Sequence, residues 1–368
     1  MIKEIYIDNI GCLVNFRIKP ADFQLWLGEN GSGKTTVLNI LRMIKQFVSG
    51  ALVGDVFHNS LLTVWSGKNV QQITLKLDID SEAYEYTLKI EHNQSKKQCR
   101  IMEERLLWQG QDFYFFDGSD AHLFRINRHD GTVEEGAKFP ADWRGSVIGG
   151  IAERDDNMPL IKFRRDVASW LIIQPIPLVV HPDADTENDQ LEEHVENFAA
   201  WYRHIKQESD TVVFDAYQGL REALPGFVSL NLKEAGESRR LKATFRIAEK
   251  NWDFGFRELS DGQRQLIILY MIAAALHQGL FRTVFIDEPD NFISIREIQP
   301  FIGALEDGCE DGGRQAIIVS HHPEIINLMG HGDELWFSRP DGTHTVTTPP
   351  RPIPELSPAE IMARGWNE

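Results

Sequence analysis

The sequence predicts an α/β fold with a phosphate-binding loop between a strand and a helix, and three observations predict it. Residues Gly28-Glu-Asn-Gly-Ser-Gly-Lys-Thr35 fit G-x-x-x-x-G-K-[ST], with an apolar run, Phe23 to Leu27, before them and a helical-period run, Val37 to Phe47, after them. From about residue 60 to residue 130 apolar and polar residues alternate, which is the period of half-buried antiparallel strands. Further on, two short apolar runs, Thr283 to Ile286 and Ala316 to Val319, end in the polar clusters Asp287-Glu288-Pro289 and Ser320-His321-His322-Pro323.

Taken in order, residues 1 to 27 read as short strands. Ile2, Ile5 and Ile7 lead to a turn at Asn9 to Gly11, Leu13 to Ile18 alternates, and Phe23 to Leu27 feeds the loop. In the loop, glycines at 28, 31 and 33 permit backbone angles that a Cβ disfavours, so successive N–H groups can turn onto phosphate oxygens. Lys34 can reach the β- and γ-phosphates and Thr35 can hold Mg²⁺, while the helix from about Thr35 to Val48 points its positive end at the anion. The β region then divides into Val70 to Ile79, Ala83 to Ile90, Gln98 to Trp108, Asp112 to Phe116 and Ala121 to Ile126, separated by turns such as Gln109-Gly110 and Asp117-Gly118. The aromatic run Phe113 to Phe116 fits core packing better than base stacking.

Residues 131 to 190 are the least periodic. A helix is expected over Leu160 to Trp170, and Pro175-Ile-Pro177 marks a turn into an extended segment. His181, Asp183 and Asp185 in the next loop have metal-ligand chemistry, although clustered loop acids are ordinarily just solvated. Helices are expected over Leu191 to Gln207 and Thr211 to Leu224, then strands over Phe227 to Leu232 and Leu241 to Ile247. The cations Arg239, Arg240 and Lys242, together with Arg164 and Arg165, are where a nucleic-acid backbone would be met. Glu258-Leu-Ser-Asp-Gly-Gln-Arg264 opens the helical run Gln265 to His277, with Ser260 placed as its N-cap and Gly262 leaving the helix end open to an anion. Asp287 and Glu288 close a strand and so point differently, one toward a metal ion and one toward an attacking water. The tail is Pro-rich from Thr347 to Pro358 and ends in a short helix near Ser357 to Met362.

Composition narrows the function classes. A net charge of −17 offers no global attraction to nucleic acid or anionic membrane. Cys12, Cys99 and Cys309 are odd in number and far apart, which speaks against a disulfide framework and fits a reducing cytoplasm. The longest apolar runs are too short to span a bilayer, so no membrane association is expected. No heptads persist, which excludes a long coiled coil.

Four motifs in this order resemble the ATP-binding cassette superfamily, and in detail its soluble RecF, SMC and OLD-like branch. The nearest likeness is to the stand-alone "AAA family" ATPases of bacterial genomes, many of which belong to anti-phage defence or toxin-like operons. Glu258 to Gly262 resembles the signature, Val284 to Asp290 the Walker B strand, and Val319 to Ile326 the switch segment. The resemblance implies an ABC-ATPase head, a P-loop NTPase fold, with ATP and Mg²⁺ as ligands. It gives Gly28, Asn30, Gly31, Ser32, Gly33, Lys34, Thr35 and Thr36 to the phosphates, Thr35 and Asp287 to Mg²⁺, Glu288 to the hydrolytic water, and His321 to the γ-phosphate, with Glu288, His321 and Lys34 as the catalytic residues. Ser260 and Gly262 would meet the nucleotide of a second subunit, so the implied unit is a homodimer closed on ATP, or a higher assembly of such dimers.

The chain is divided as an N-terminal ATPase lobe at 1–130, an insertion at 131–257, a C-terminal ATPase lobe at 258–346 and the tail at 347–368. It departs from the family after Pro289, where Asp290-Asn-Phe-Ile-Ser294 replaces an acid followed by L-H-P. The Q-loop glutamine is open among Gln71, Gln72 and Gln174, and His322 stands beside His321 as an alternative sensor. The expected function is an ATPase switch or scaffold for a separately encoded effector, a nuclease or toxin, in anti-phage defence. The alternative is a RecF-like repair ATPase that binds DNA through a local basic patch. The wide spacing of loop and signature argues against a transporter subunit, and the short remainder after His321 against an OLD-type nuclease domain.

Overall fold

A computed structural model describes residues 1–236, 238–310, 312–330, 334–348 and 356–364. Strands β1 (Ile2–Asp8), β2 (Phe16–Ile18) and β3 (Phe23–Gly28) lead into helix α1 (Lys34–Val48) and a single turn, α2 (Val53–Val56). The alternating region follows as β4 (Val70–Ile79), β5 (Glu82–Asn93), β6 (Gln98–Trp108), β7 (Gln111–Phe116), β8 (Asp120–Ile126) and β9 (Val133–Pro140). With β1 and β2 these form one eight-stranded antiparallel sheet in the order β2-β1-β4-β5-β6-β7-β8-β9. Phe113, Tyr114 and Phe116 are buried in the core; Phe113 and Tyr114 are consecutive, and their joint burial coincides with a register shift between Leu106 and Leu107 on β6. Strand β9 was not legible in the sequence. It is an edge strand whose residues from Gly136 to Pro140 are exposed, so it carries little apolar alternation.

The chain continues through α3 (Met158–Ala168), β10 (Leu171–Ile173), β11 (Asp183–Ala184), α4 (Phe198–Glu208) and α5 (Asp210–Ala223). Then come β12 (Phe227–Ala235), β13 (Ser238–Ile247), β14 (Lys250–Gly255), α6 (Asp261–His277), β15 (Thr283–Asp287), α7 (Ile295–Glu310) and β16 (Gln315–Val319). Helix α8 (Pro323–Met329), β17 (Leu335–Ser338), β18 (Val346–Thr348) and α9 (Pro358–Ala363) complete it. A small sheet of β11, β12, β13 and β14 covers the insertion. A six-stranded sheet runs β10-β15-β16-β3-β17-β18, parallel except for its last pair.

That parallel sheet is buried on both faces, which is why its strands read as continuous apolar runs. Trp26, Phe285, Ile317 and Phe337 face one core, shared with α1, α3 and the antiparallel sheet. Leu25, Leu27, Val284, Ile286 and Ile318 face the other, filled by α4, α5, α6 and α7. Gln315, fully buried, fastens the layers: its Oε1 accepts from Ile2 N at 2.9 Å, and its Nε2 donates to Ile2 O at 3.0 Å and to Ala21 O at 2.9 Å.

The helix expected from Leu191 begins instead at Phe198. Its lost turns are explained by backbone pairing: the amides of Gln174, Ile176 and His181 donate to the carbonyls of Glu193, His194 and Glu196. Those acceptors are then unavailable to a helix. In the tail, α9 starts at Pro358 with Ser357 capping Glu360, whereas Pro349, Pro350, Pro352 and Pro354 lie outside the described residues. No helix among the described residues is long and apolar enough to cross a membrane.

Candidate active site

The phosphate loop lies between β3 and α1, at the end of the parallel sheet where its strands finish. Gly28, Gly31 and Gly33 take φ of +142°, +80° and +108°. A Cβ on Gly28 would sit 2.2 Å from the Phe337 carbonyl oxygen, and one on Gly33 would sit 2.5 Å from Thr345 Oγ1. Angle and crowding together leave glycine as the residue that fits at both positions. Lys34 folds back over the loop: its Nζ donates to Gly28 O at 2.6 Å, Glu29 O at 3.1 Å and Ser32 Oγ at 3.3 Å. Burial lowers its ammonium to about 8, against the opposing pull of Asp287, Glu288 and Glu29. An anion in the loop would supply the charge that this buried cation lacks. Asn30 is exposed on the loop's rim, Ser32 is buried beneath it, and Thr36 stands beside Cys12 on the β1–β2 turn.

The sheet order sets β16 between β3 and β15, which brings the loop and the carboxylates to one edge. Thr35 Oγ1 donates to Asp287 Oδ2 at 3.3 Å. Asp287 is pushed up to about 6, first by burial and then by the neighbouring charge of Glu288. A cation between Thr35 and Asp287 would offset that shift by favouring the ionised carboxylate, and the donor set, a hydroxyl and a carboxylate, fits Mg²⁺.

Glu288 has φ +52°, unusual for a residue with a Cβ, and its amide donates to Val319 O at 2.7 Å. Its Oε2 accepts from Asn291 Nδ2 at 2.9 Å, and its Oε1 lies 3.9 Å from His321 Nε2. Burial and Lys34 lower the His321 imidazolium, so the ring meets Glu288 in its neutral form near pH 7. His322 turns away and caps α8, its Nδ1 accepting from Glu324 N at 3.2 Å. Of the two histidines, His321 faces the carboxylate.

Ser260 caps α6 in a reciprocal box, with Gln263 N donating to Ser260 Oγ at 3.2 Å and Ser260 N donating to Gln263 Oε1 at 3.0 Å. A Cβ on Gly262 would come within 2.8 Å of Phe292 O, and Gln265 Nε2 donates to Pro289 O at 3.1 Å. The start of α6 therefore packs against the turn that carries Glu288. Neither Ser260 nor Gly262 bonds to the phosphate loop of its own chain among the described residues.

Of the three glutamines left open, Gln71 is buried on β4 and bonded to His92, and Gln72 points to Thr74 on the same strand. Gln174 directly follows β10, whose register pairs Ile173 with Ile286, so it comes next to the level of Asp287 at the end of the parallel strands. Sequence reasoning missed Thr345, whose Oγ1 donates to Ser32 O at 2.8 Å, because it follows β17 without a motif of its own. It also missed Asn291, which lies in the stretch where the chain departs from the family pattern.

The loop acids do not form a metal centre. Asp183 accepts from Arg240 at 2.7 and 3.2 Å, and the group of metal-ligand type found among the described residues is Asp117, Asp120 and His122, on the β7–β8 turn of the other sheet. Three of the five cations read as a basic patch make contacts within the chain. Arg164 donates to the carbonyls of Ile148, Gly149 and Ile151, Arg165 pairs with Glu153, and Arg240 pairs with Asp183.

A family described as "AAA domain, putative AbiEii toxin, Type IV TA system" matches residues 173–327. No curated protein matches the sequence. Among solved structures, an SMC head bound to the C-terminal winged-helix domain of ScpA is 12% identical, covers 95% of this chain and 97% of its own, and superposes with a TM-score of 0.58. An SMC head with an extended coiled coil, bound to the C-terminal domain of ScpA derived from Pyrococcus furiosus, is also 12% identical, with 99% and 98% covered and a TM-score of 0.53. The chain has the fold of an ABC-type ATPase head of the P-loop NTPase class.

Proposed function

We propose that this chain is a Mg²⁺-dependent ATPase that closes on ATP as a homodimer and serves as a switch or scaffold for a separately encoded effector in bacterial anti-phage defence. The observation that carries the reading is the convergence of Lys34, Thr35, Asp287, Glu288 and His321 on one edge of the parallel sheet. Lys34 and the loop amides hold the phosphates, and the Thr35 hydroxyl and the Asp287 carboxylate hold Mg²⁺, which when bound neutralises charge on the transferring phosphoryl group. Glu288, fixed by Asn291, orients the water, and neutral His321 donates a hydrogen bond beside it.

Ser260 and Gly262 have no partner on their own phosphate loop, which supports their use on the nucleotide of a second copy. The toxin-related family match over residues 173–327 supports the defence reading. The bound ScpA domains on the two SMC heads support a head of this shape as a base for a partner protein. Three free cysteines accord with a reducing cytoplasm. The alternative of a repair ATPase that binds DNA through a local basic patch is less favoured, because Arg164 donates to three backbone carbonyls and Arg165 and Arg240 pair with acids of the same chain.

Steady-state phosphate release with MgATP, measured beside size-exclusion chromatography, tests the proposal. Glu288→Gln is expected to abolish turnover by about 10²-fold or more and to accumulate ATP-bound dimers. ATP binding by the wild type without hydrolysis or change of assembly would overturn it.

A further inference from the structure

Trp65 is half exposed, at 51%, as are Trp252 at 54% and, to a lesser degree, Trp143 at 39%, whereas Trp26, Trp170, Trp201 and Trp336 are buried. Its neighbour Val64 is 90% exposed. A ligand that covered this indole and isopropyl group would gain by removing their apolar area from water. The loop that presents them is nonetheless fixed. Gly11 N donates to Leu61 O at 2.7 Å, Thr63 Oγ1 donates to Gly11 O at 2.9 Å, and the buried Asn9 side chain donates to Lys68 O at 3.2 Å and Val70 O at 2.8 Å. Ser66 Oγ bonds Asn9 Oδ1 as well. The ring is thus held on a braced loop and not on a floppy one.

What it is held against is the phosphate loop. From below, Gly11 touches the end of that loop, since a Cβ on it would lie 3.4 Å from Thr36 Cγ2. From the side, Arg339 bridges the gap: its Nη1 donates to Gly31 O at 3.3 Å, and its Cζ stands 5.9 Å from the centre of the Trp65 ring. Thr343 O accepts from the same guanidinium at 2.9 Å and keeps it in place.

We infer that Trp65, with Arg339 against it, is the stacking platform for the nucleobase of the bound nucleotide. The inference rests on the phosphate-loop reading of the proposed function. Phosphates seated by Gly31 to Thr36 leave the sugar and base to emerge past Thr36, and the large apolar face waiting there is the indole. Indole and guanidinium planes both stack on a base, through dispersion and cation–π attraction. Stacking recognises ring area and not exocyclic groups, so the platform selects purines over pyrimidines and separates adenine from guanine only weakly.

The test compares the binding of ATP, GTP, CTP and inorganic tripolyphosphate, each with Mg²⁺, by calorimetry to the wild type, Trp65→Phe and Trp65→Ala. Trp65→Ala is expected to weaken ATP and GTP by roughly 5- to 150-fold and to leave tripolyphosphate unchanged, with Trp65→Phe keeping most of the affinity. An equal loss for tripolyphosphate, or no loss for ATP, overturns the platform while the phosphate-loop reading stands. A wild type that binds neither ATP nor tripolyphosphate overturns both. Weaker assembly of Trp65→Ala with unchanged nucleotide affinity assigns the ring to the contact between copies and also overturns it.

Discussion

Thr35 and Asp287 are 252 residues apart in the chain, and the Thr35 hydroxyl donates to Asp287 Oδ2 at 3.3 Å. The contact exists because β16 stands between β3 and β15, so that the strand before the phosphate loop and the strand ending in carboxylates finish on the same edge. Thr35→Ala is expected to lower the affinity for ATP in the presence of Mg²⁺ by about tenfold or more, the worth of a hydroxyl ligand to a charged group. ATP affinity in EDTA should be nearly unchanged. Titrations with and without the metal check this, and an equal loss in both would place the Thr35 hydroxyl elsewhere.

Asp287 and Glu288 crowd two carboxylates into a largely buried corner, and Asp287 is pushed up to about 6. A raised carboxylic acid contributes stability that is fully present below its unfolded value and is lost as pH rises through about 6. At pH 7 in EDTA the charged Asp287 is therefore a burden on the fold. Asp287→Asn should be more stable than the wild type under those conditions by about 1 to 2 kcal/mol, and should gain nothing on addition of Mg²⁺. Urea unfolding with and without the metal measures both.

Asn291 donates to Glu288 Oε2 at 2.9 Å from an exposed turn that also carries Phe292 at φ +72°. The amide makes no contact with the phosphate loop, so its removal should loosen Glu288 without touching substrate binding. Asn291→Ala is expected to reduce kcat by roughly tenfold with KM unchanged, and Asn291→Gln to recover part of the loss. A rise in KM at constant kcat would contradict the positioning role.

Glu104, on β6 of the antiparallel sheet, is buried, and its Oε1 accepts from Tyr86 at 2.9 Å and Ser146 at 2.7 Å, while its Oε2 accepts from Tyr114 at 2.9 Å. Burial raises it to about 6 although the three hydroxyls pull the other way. Its contribution is present in full below about pH 4.5, the ordinary glutamate value, and fades as pH rises through about 6. Glu104→Gln should flatten the change of Tm across that window while keeping the hydroxyls bonded. An unchanged slope between pH 4.5 and 7 would show that the group does not titrate there.

The motifs were legible because each is local. Gly28 to Thr35 is a loop whose backbone angles demand glycine, and Thr283 to Asp287 is a strand buried on both faces whose last residues must be polar. The paired strands from Val70 to Ile126 were legible for the same reason, since one covered face imposes a period of two. What escaped depends on distant partners. The carbonyls from Glu193 to Glu196 look helical until the amides from Gln174 to His181 claim them. Strand β9 carries little pattern because its outer half is exposed, and Thr345 and Asn291 are single side chains whose roles arise only when β17 and the turn after Glu288 are in place. The two adjacent histidines could not be told apart by residue type, and only the start of α8 separates the capping His322 from the His321 that meets Glu288.

The position of β3 within the parallel sheet also has a consequence for biosynthesis. The antiparallel sheet from β4 onward is built of successive hairpins and can form as the chain leaves the ribosome. Strand β3 cannot, because its neighbours are β16 and β17, and Leu25 pairs with Ile318 and Trp26 with Leu335. For most of translation the strand that feeds the phosphate loop is an apolar segment without its sheet partners, next to a finished half-molecule. Closure over so long a separation is slow, and an unpaired apolar strand invites association with other chains in the meantime. The edge where the phosphate loop meets Asp287 is therefore expected to form late, and a nascent or truncated chain that stops before β16 is expected to have its antiparallel sheet without that edge.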